Sequence, residues 1–231
     1  MLSNSRRKFI KTTSLAAFGG GPFIANTKSS GKVIGANDRM RIAVAGLNGR
    51  GKSHIGGFLG QKNVEIPYVI DPDKQVLSRT VASLKGRGQP VKGVVDIREA
   101  LDDKNVDAIA IAAPNHWHSL MTIWGAQAGK HVYVEKPMSH DVEEGRVAVA
   151  AQKKYGVVIQ HGTQQRSNTD RAGLHDQIKA GKWGRLKISY GYCCKPRGSI
   201  GHKNIGDAPA HLDWDLWKGP AVIEKFHGNY V

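Results

Sequence analysis

Short apolar segments rich in valine and isoleucine alternate with longer segments of helical periodicity along most of the 231-residue chain. The apolar segments predict six strands, at residues 41–46, 65–71, 91–96, 107–113, 131–135 and 157–160. The segments between them predict helices at residues 51–59, from about Pro72 onward, and at 97–103, 116–128 and 139–155. Because strands that alternate with crossover helices form parallel sheets, the pattern predicts a doubly wound α/β domain.

The pattern changes after the sixth predicted strand. Residues 162–170 predict a loop, residues 171–180 a helix, and residues 186–194 (LKISYGYCC) alternate as a strand. One strand cannot bury a hydrophobic face alone, so we expect it to begin a second domain that is incomplete in this chain. The predicted divisions are an N-terminal segment of residues 1–36, a first domain of residues 37–160 and a second of residues 161–231.

The loop after the first predicted strand matches two phosphate-binding patterns. It reads GLNGRGKS over residues 46–53. As G-x-x-x-x-G-K-[ST] it is an NTPase loop, with Lys52 for the phosphates and Ser53 for Mg²⁺. As the dinucleotide pattern G-x-G-x-x-G it is imperfect, because Asn48 replaces the second glycine. Asparagine tolerates a left-handed backbone, and Gly49 beside it can permit close approach of a ligand.

Asp71 favours the dinucleotide interpretation. It ends the second predicted strand, 20 residues after Gly51, where a Rossmann domain places the carboxylate that binds the adenosine ribose. Gly46 and Gly51 then supply the tight turn and a helix N-terminus whose free N–H groups favour the pyrophosphate. A carboxylate at this position also favours NAD, because it would repel the 2′-phosphate of NADP. Lys74 nevertheless leaves NADP open.

The first residues have the pattern of an export signal. Residues 5–11 (SRRKFIK) place a twin arginine before a mildly apolar stretch, residues 15–25, that is too short to span a bilayer. We expect recognition by the twin-arginine export machinery and a periplasmic or other extracytoplasmic location, with signal cleavage and retention as an anchor both open. Export disfavours the NTPase, since an exported enzyme meets no ATP supply.

Charge and cysteine content exclude little. The formal net charge of +15 falls to +9 for residues 37–231, which hold 28 basic and 19 acidic residues. The basic residues are scattered and accompany no aromatic motif, so a nucleic-acid or other polyanion binder is disfavoured and no nucleic-acid partner is expected. Cys193 and Cys194 are adjacent, which fits no metal or redox spacing.

Five segments together resemble one family. GLNGRG, VIDPD, APNHWHS, YVEKPMS and DWDLWKGPA are similar to segments of the Gfo/Idh/MocA oxidoreductases, in their twin-arginine-exported branch, from about residue 37 to residue 221. The resemblance implies a Rossmann domain followed by an α/β domain with a mainly antiparallel sheet. Family members continue for well over a hundred further residues, so we expect this chain to be C-terminally truncated, and the full-length protein to be a homo-oligomer.

The resemblance also implies an activity and its residues. The expected reaction is hydride transfer between a tightly held nicotinamide cofactor and a hydroxyl of a sugar, cyclitol or related polyol. Lys136, at the end of the fifth predicted strand, would be the catalytic lysine that exchanges a proton with that hydroxyl. Gln165 and Arg166 are expected on the substrate side. The expected cofactor contacts, from the loop, Asp71 and the resemblance together, are Gly46, Asn48, Gly49, Arg50, Gly51, Asp71, Pro114, Asn115, His118, Glu135 and Lys136.

Several other polar and aromatic residues have less specific interpretations. His116 and His118 form an H-x-H pair without acidic or cysteine partners nearby, so no metal site is expected. Asp96 is expected to cap the following helix. Trp214 and Trp217 can stack on a sugar, although packing is favoured. Three hypotheses stay open: an exported oxidoreductase, a dinucleotide-binding fragment without turnover, and a polyanion or nucleic-acid binder.

Overall fold

The structure, a computed structural model, describes residues 39–231, so the predicted twin-arginine segment lies outside the described residues. Seven strands form a parallel sheet in its first part: β1 Met40–Ala45, β2 Val64–Glu65, β3 Tyr68–Ile70, β4 Lys92–Val94, β5 Ala108–Ile111, β6 His131–Glu135 and β7 Ile159–Gly162. Their order is β4-β3-β1-β5-β6-β7, with β2 also paired to β1. This is the strand order of a doubly wound dinucleotide-binding sheet, which confirms the predicted fold class.

Helices connect the strands and continue beyond the sheet. They are α1 Arg50–Leu59, α2 Lys74–Gly86, α3 Ile97–Leu101, α4 Asn115–Gln127, α5 Val142–Tyr155, α6 Thr169–Lys179 and α7 Trp214–Lys218. Aspartates cap four of them, because Asp73, Asp96, Asp141 and Asp213 accept backbone N–H groups from the first turns of α2, α3, α5 and α7. The predicted capping role of Asp96 is therefore confirmed. α2 begins at Lys74 rather than at Pro72, since Asp73 is its cap.

The two faces of the sheet are buried by different helices. Along β1, Ile42 and Val44 belong to one hydrophobic cluster with residues of α1 and α2. Ala43 and Ala45 belong to a second cluster with residues of α3 and α4. Because successive side chains of a strand point to opposite faces, the continuous apolar sequence of β1 is explained by burial on both sides.

Proline divides the second predicted strand. Residues 65–71 were expected to form one strand, and they instead form β2 and β3, separated by Ile66 and Pro67. Proline has no N–H group to donate to the ladder, so pairing is interrupted at that position. Pro67 still accepts a hydrogen bond through its carbonyl oxygen from the backbone N–H of Lys92, at 2.8 Å.

The predicted strand at residues 186–194 is wrong. These residues form neither a helix nor a strand, and Tyr190 and Tyr192 are 82% and 84% exposed. The alternating pattern has no partner strand within the described chain, so no ladder or buried face stabilises it. Two short strands elsewhere, β8 Ile205–Gly206 and β9 Phe226–His227, pair antiparallel instead. The division at residue 160 stays a prediction.

Residues 39–231 lack two features, a membrane-spanning helix and a cluster of potential metal ligands. None of the helices there is long and apolar enough to cross a bilayer. In the same residues, no three histidine, cysteine or acidic side chains come together as a potential metal site.

Candidate functional site

The turn between β1 and α1 requires glycine at two positions. Gly46 has a positive φ of 85°, and a Cβ there would overlap the backbone of Ala112, the residue that follows β5. A Cβ at Gly51 would overlap the carbonyl oxygen of Gly46. Gly49 differs, because a Cβ there would contact nothing within 4 Å. The first and last glycines therefore shape the loop, while the space beside Gly49 is open to a ligand.

Asn48 does not adopt the left-handed backbone that its sequence position suggested. Within residues 39–231, Asn63 is the non-glycine residue with positive φ. The loop thus makes its turn through Gly46 alone, and the substitution of the second glycine by Asn48 needs no unusual backbone.

The N-terminus of α1 is free to bind an anion. Gly49 precedes its first turn, no side chain caps it, and the first turn contains no acidic residue. Unpaired N–H groups and the helix dipole favour negative charge at such a position. A diphosphate fits this end of α1.

Asp71 connects the glycine loop to the turn after β3. Its Oδ2 accepts a hydrogen bond from the backbone N–H of Leu47 at 2.8 Å, and its Oδ1 accepts one from Asp73 at 2.9 Å. The side chain is 8% exposed. Burial raises the pKa of Asp71, and the two backbone hydrogen bonds only partly oppose that shift. Each carboxylate oxygen keeps a further lone pair, which a ribose hydroxyl can use.

A cavity of about 320 Å³ lies beyond the carboxyl ends of β1, β3, β4 and β5. This volume is within the range of small-molecule sites, roughly 300–1,000 Å³. Its lining includes five of the predicted cofactor contacts: Gly46, Asn48, Gly49, Asp71 and Pro114. Much of the remaining wall is apolar, including Ile70, Val95, Ile97, Ala112 and Met121. The cavity thus combines an apolar slot with a carboxylate and an open helix N-terminus.

The other predicted site residues lie outside this cavity. Lys136 is exposed at the end of β6, and its side chain makes no hydrogen bond or ion pair with residues 39–231. Asn115, Gln165 and Arg166 are likewise exposed. The structure therefore places five of the predicted residues around the cavity and leaves Asn115, Lys136, Gln165 and Arg166 on exposed surface outside it.

Glu135, beside Lys136, is the centre of a buried polar cluster. Its Oε1 accepts from His54 Nε2 at 2.8 Å and from Arg50 Nε at 3.1 Å, and its Oε2 accepts from Gln164. Burial raises the pKa of Glu135, but the hydrogen bonds from His54 and Arg50 outweigh it, so the pKa is lowered. The cluster fixes the end of β6 against α1.

His54 is the residue of this cluster that sequence reasoning missed. It follows Arg50 by four positions on α1, so both side chains lie on one helix face. That spacing was the available signal, but its meaning depends on Glu135, which is 81 residues away.

His118 has a structural environment. Its side chain is 2% exposed, with Nδ1 2.6 Å from the carbonyl oxygen of Pro137 and Nε2 2.8 Å from that of Ala113. The ring thereby connects the segments that follow β5 and β6. Its predicted contact with a cofactor stays a prediction.

Fold and site together define a Rossmann-type dinucleotide-binding protein. The chain belongs to the GFO_IDH_MocA family, described as an oxidoreductase family with an NAD-binding Rossmann fold, whose model matches residues 40–163, more than half of the chain. The NAD interpretation of the glycine loop is therefore confirmed over the NTPase. Lys52 lies outside the cavity around Asp71, in a separate groove with Arg79 and Arg87.

Two curated relatives have different names. A "Glycosyl hydrolase family 109 protein" of Shewanella pealeana is 27% identical over 164 residues, covering 61% of this chain and 35% of the relative. A "4-carboxy-2-hydroxymuconate-6-semialdehyde dehydrogenase" of Sphingobium sp. is 30% identical over 143 residues, covering 62% of this chain and 44% of the relative.

A solved structure is also similar. It is the WlbA dehydrogenase from Bordetella pertussis in complex with NADH and UDP-GlcNAcA, with a TM-score of 0.59 and 27% identity, covering 64% of this chain and 42% of the other. The chain thus spans less than half the length of each of these relatives.

The raised pKa of Asp71 gives a testable pH dependence. An ionised carboxylate accepts from the ribose hydroxyls more strongly than a neutral carboxyl group does, so NADH affinity should fall as pH decreases through the pKa of Asp71. This decrease should begin above the range of an ordinary aspartate, near pH 3.9. The contribution of Asp71 to folding has the opposite sign: it is complete below the unfolded pKa and decreases as pH rises through the folded pKa.

The variant Asp71→Asn should bind NADH about 10- to 100-fold more weakly near neutral pH and lose this pH dependence, since hydrogen bonds to a charged group are worth about 1.5–3 kcal/mol. Fluorescence titration with NADH measures both effects. Asp96→Asn is the matched control, because Asp96 lines the same cavity and asparagine also caps helices well. An unchanged pH profile in Asp71→Asn would exclude Asp71 from ribose binding.

Proposed function

We propose that this chain is the cofactor-binding part of an NAD-dependent oxidoreductase that transfers hydride between the nicotinamide and a hydroxyl-bearing carbon of a sugar, cyclitol or related polyol. The nicotinamide ring of the bound cofactor would accept or donate the hydride. The observation that carries the proposal is the carboxylate of Asp71 facing the same cavity as the open space at Gly49. Family membership supports the redox chemistry.

The substrate class is supported by one relative. The WlbA dehydrogenase structure contains NADH and UDP-GlcNAcA, a sugar nucleotide, and its similarity to this chain is 27% in sequence. A sugar-like hydroxyl compound is therefore the substrate class we propose. Which compound binds depends on residues that form the substrate side of the site.

Lys136 is proposed to exchange the substrate proton. It follows the buried Glu135, whose contacts with Arg50, His54 and Gln164 hold the end of β6 in place. The Lys136 side chain is exposed and unpaired within the described residues, so its ammonium group is available to a ligand. The neutral amine of Lys136 would accept the hydroxyl proton at Nζ as hydride leaves the substrate carbon, and the resulting ammonium would return that proton in the reverse reaction.

Three further features belong to the same proposal. Gln165 and Arg166, in the 3₁₀ helix Gln164–Ser167 after β7, would face the substrate. Residues 161–231 would begin a second domain that completes the substrate site. The complete protein would be a homo-oligomer, as the resemblance to the Gfo/Idh/MocA oxidoreductases implies.

Glycoside hydrolysis is a second candidate. It is favoured by the name of the Shewanella pealeana relative, a glycosyl hydrolase family 109 protein. Some glycosidases depend on NAD rather than on a pair of carboxylates, so the two activities share a cofactor site. The two differ in their products: hydrolysis releases an aglycone without net NADH, whereas dehydrogenation accumulates NADH.

We also propose that residues 1–36 direct twin-arginine export. A reporter fused to this segment should reach the periplasm, and the double change Arg6→Lys and Arg7→Lys should abolish its export. The charge-preserving double change Lys8→Arg and Lys11→Arg is the control and should leave export intact. Fractionation of cells measures both, and unaffected export of the arginine variant would remove the proposal.

The central test of the proposed reaction uses Lys136→Met in protein expressed from the complete gene. Loss of general acid–base catalysis should lower turnover by about 10²–10⁴-fold, while NADH affinity stays within about twofold of the parent. NADH absorbance with a panel of sugars, cyclitols and sugar nucleotides measures turnover. A parallel panel of chromogenic glycosides detects hydrolysis.

Lys153→Met, on the exposed surface of α5, is the matched control for loss of one lysine charge. It should leave turnover unchanged. Unchanged turnover of Lys136→Met would exclude Lys136 from proton transfer. Absence of nicotinamide absorbance after denaturation, together with no binding of added NADH, would overturn the proposed function itself.

A further inference from the structure

Residues 211–219, here called the strap, return to the Rossmann domain at the turn that follows Asp71. Leu212 and Asp73 form an antiparallel bridge. The backbone N–H of Lys74 donates to the carbonyl oxygen of His211 at 2.8 Å, and that of Asp213 donates to Pro72 at 3.0 Å. These two backbone hydrogen bonds, which together make the bridge, hold the first end of the strap beside the carboxylate predicted to bind ribose.

The other end of the strap is held by the first turn of α4. Trp117 Nε1 donates to the carbonyl oxygens of Leu216 and Trp217, at 2.9 and 3.1 Å. His116 Nε2 lies 2.8 Å from the Trp217 oxygen. Burial lowers the pKa of His116, which favours a neutral ring whose Nε2–H tautomer donates to that oxygen.

Gly219 completes this attachment. A Cβ there would overlap the indole ring of Trp117. Only glycine at this position therefore permits the strap to lie so close to α4.

The middle of the strap is stiffened by its own contacts. Asp213 Oδ1 accepts from the backbone N–H of Leu216 at 3.0 Å and caps α7. Trp214 and Trp217 stack with ring centroids 5.2 Å apart, and Tyr230 contacts both rings, at 5.6 and 5.8 Å. The strap is therefore an ordered element rather than a loose loop.

The strap forms one wall of the cavity around Asp71. Leu212, Leu216 and Trp217 line it from the strap, and Tyr230 lines it from the following segment. Across the cavity lie the ends of β3, β4 and β5. In this fold the carboxylate after the second strand marks the adenosine ribose, so the apolar slot beside it is the adenine side of the site. Lys136 is not among the residues that line this cavity, so the strap would contact the adenine end of the cofactor and not its nicotinamide end.

We propose that the strap is the adenine wall of the cofactor site, where Leu216 and Trp217 cover the adenine ring and make the dinucleotide a retained rather than a freely exchanging cofactor. The inference rests on the proposed function and deepens it. Because the strap is attached both to α4 and to the β3–α2 turn, it would stay in contact with the base until the base itself leaves. Release should therefore be slow, with the strap determining its rate.

The test is the variant Trp217→Ala. In this variant the backbone carbonyl of residue 217 still accepts from Trp117 and His116. The strap therefore stays attached to α4, while the indole ring that lines the cavity is removed. NADH should dissociate about 10- to 100-fold faster, because contact of a base with an aromatic side chain is worth that factor. Stopped-flow fluorescence of NADH release measures the rate. AMP, titrated calorimetrically into nucleotide-free protein, should lose affinity by the same factor, since it carries the adenosine half of the dinucleotide without the nicotinamide.

Two further variants keep the test decisive. Trp183→Ala removes an exposed tryptophan remote from the cavity lining and should release NADH at the parent rate. Gly219→Val should displace the strap from Trp117 and accelerate release without changing any cavity residue. If parent and Trp217→Ala bind NADH and AMP with equal rates and affinities, the strap inference is overturned while the proposed function survives. If the parent protein binds neither AMP nor NADH, the proposed function fails instead.

Discussion

The carboxylate of Asp71 joins the two turns on which the site depends. By accepting from Leu47 and Asp73, it fixes the glycine loop relative to the start of α2. The first turn presents the open N-terminus of α1, and the second receives the strap through Pro72, Asp73 and Lys74. Loss of this carboxylate would leave the buried N–H of Leu47 without its acceptor, which costs about 1–3 kcal/mol. One buried side chain thus positions both the loop predicted to hold the diphosphate and the proposed adenine wall.

The site consists of two parts with different physical character. Around Asp71 the walls of the cavity are mainly apolar, and the polar groups are few. Around Lys136 the surface is open, and the order comes from Glu135, which His54, Arg50 and Gln164 hold from two other elements. This division matches the division of labour in a redox enzyme, in which one half of the cofactor is anchored and the other half meets the substrate.

Local sequence patterns predicted the central strands β1, β5 and β6 well because most of their residues are buried between the two helix layers. They indicated the glycine loop and Asp71 as a candidate dinucleotide site because both lie within 26 consecutive residues, 46–71. The strand at residues 186–194 was predicted wrongly, since alternation describes a strand only when a partner exists. The break between β2 and β3 is marked in the sequence by Pro67 itself.

Long-range contacts explain what the sequence did not reveal. The sequence favoured a packing role for Trp217. The structure shows that Trp217 packs and also lines the cavity, because Trp117, 100 residues away, donates a hydrogen bond to its carbonyl oxygen. His54 acquires meaning only through Glu135. Neither relationship has a local periodicity that would indicate it.

A crystal structure of the protein grown with NADH tests the central claim most directly. The account predicts the diphosphate at the backbone N–H groups that begin α1, both ribose hydroxyls of the adenosine within about 2.6–3.2 Å of the Asp71 carboxylate, and the adenine beneath the strap. A nucleotide bound elsewhere, or an Asp71 side chain that contacts no part of the bound ligand, would contradict it.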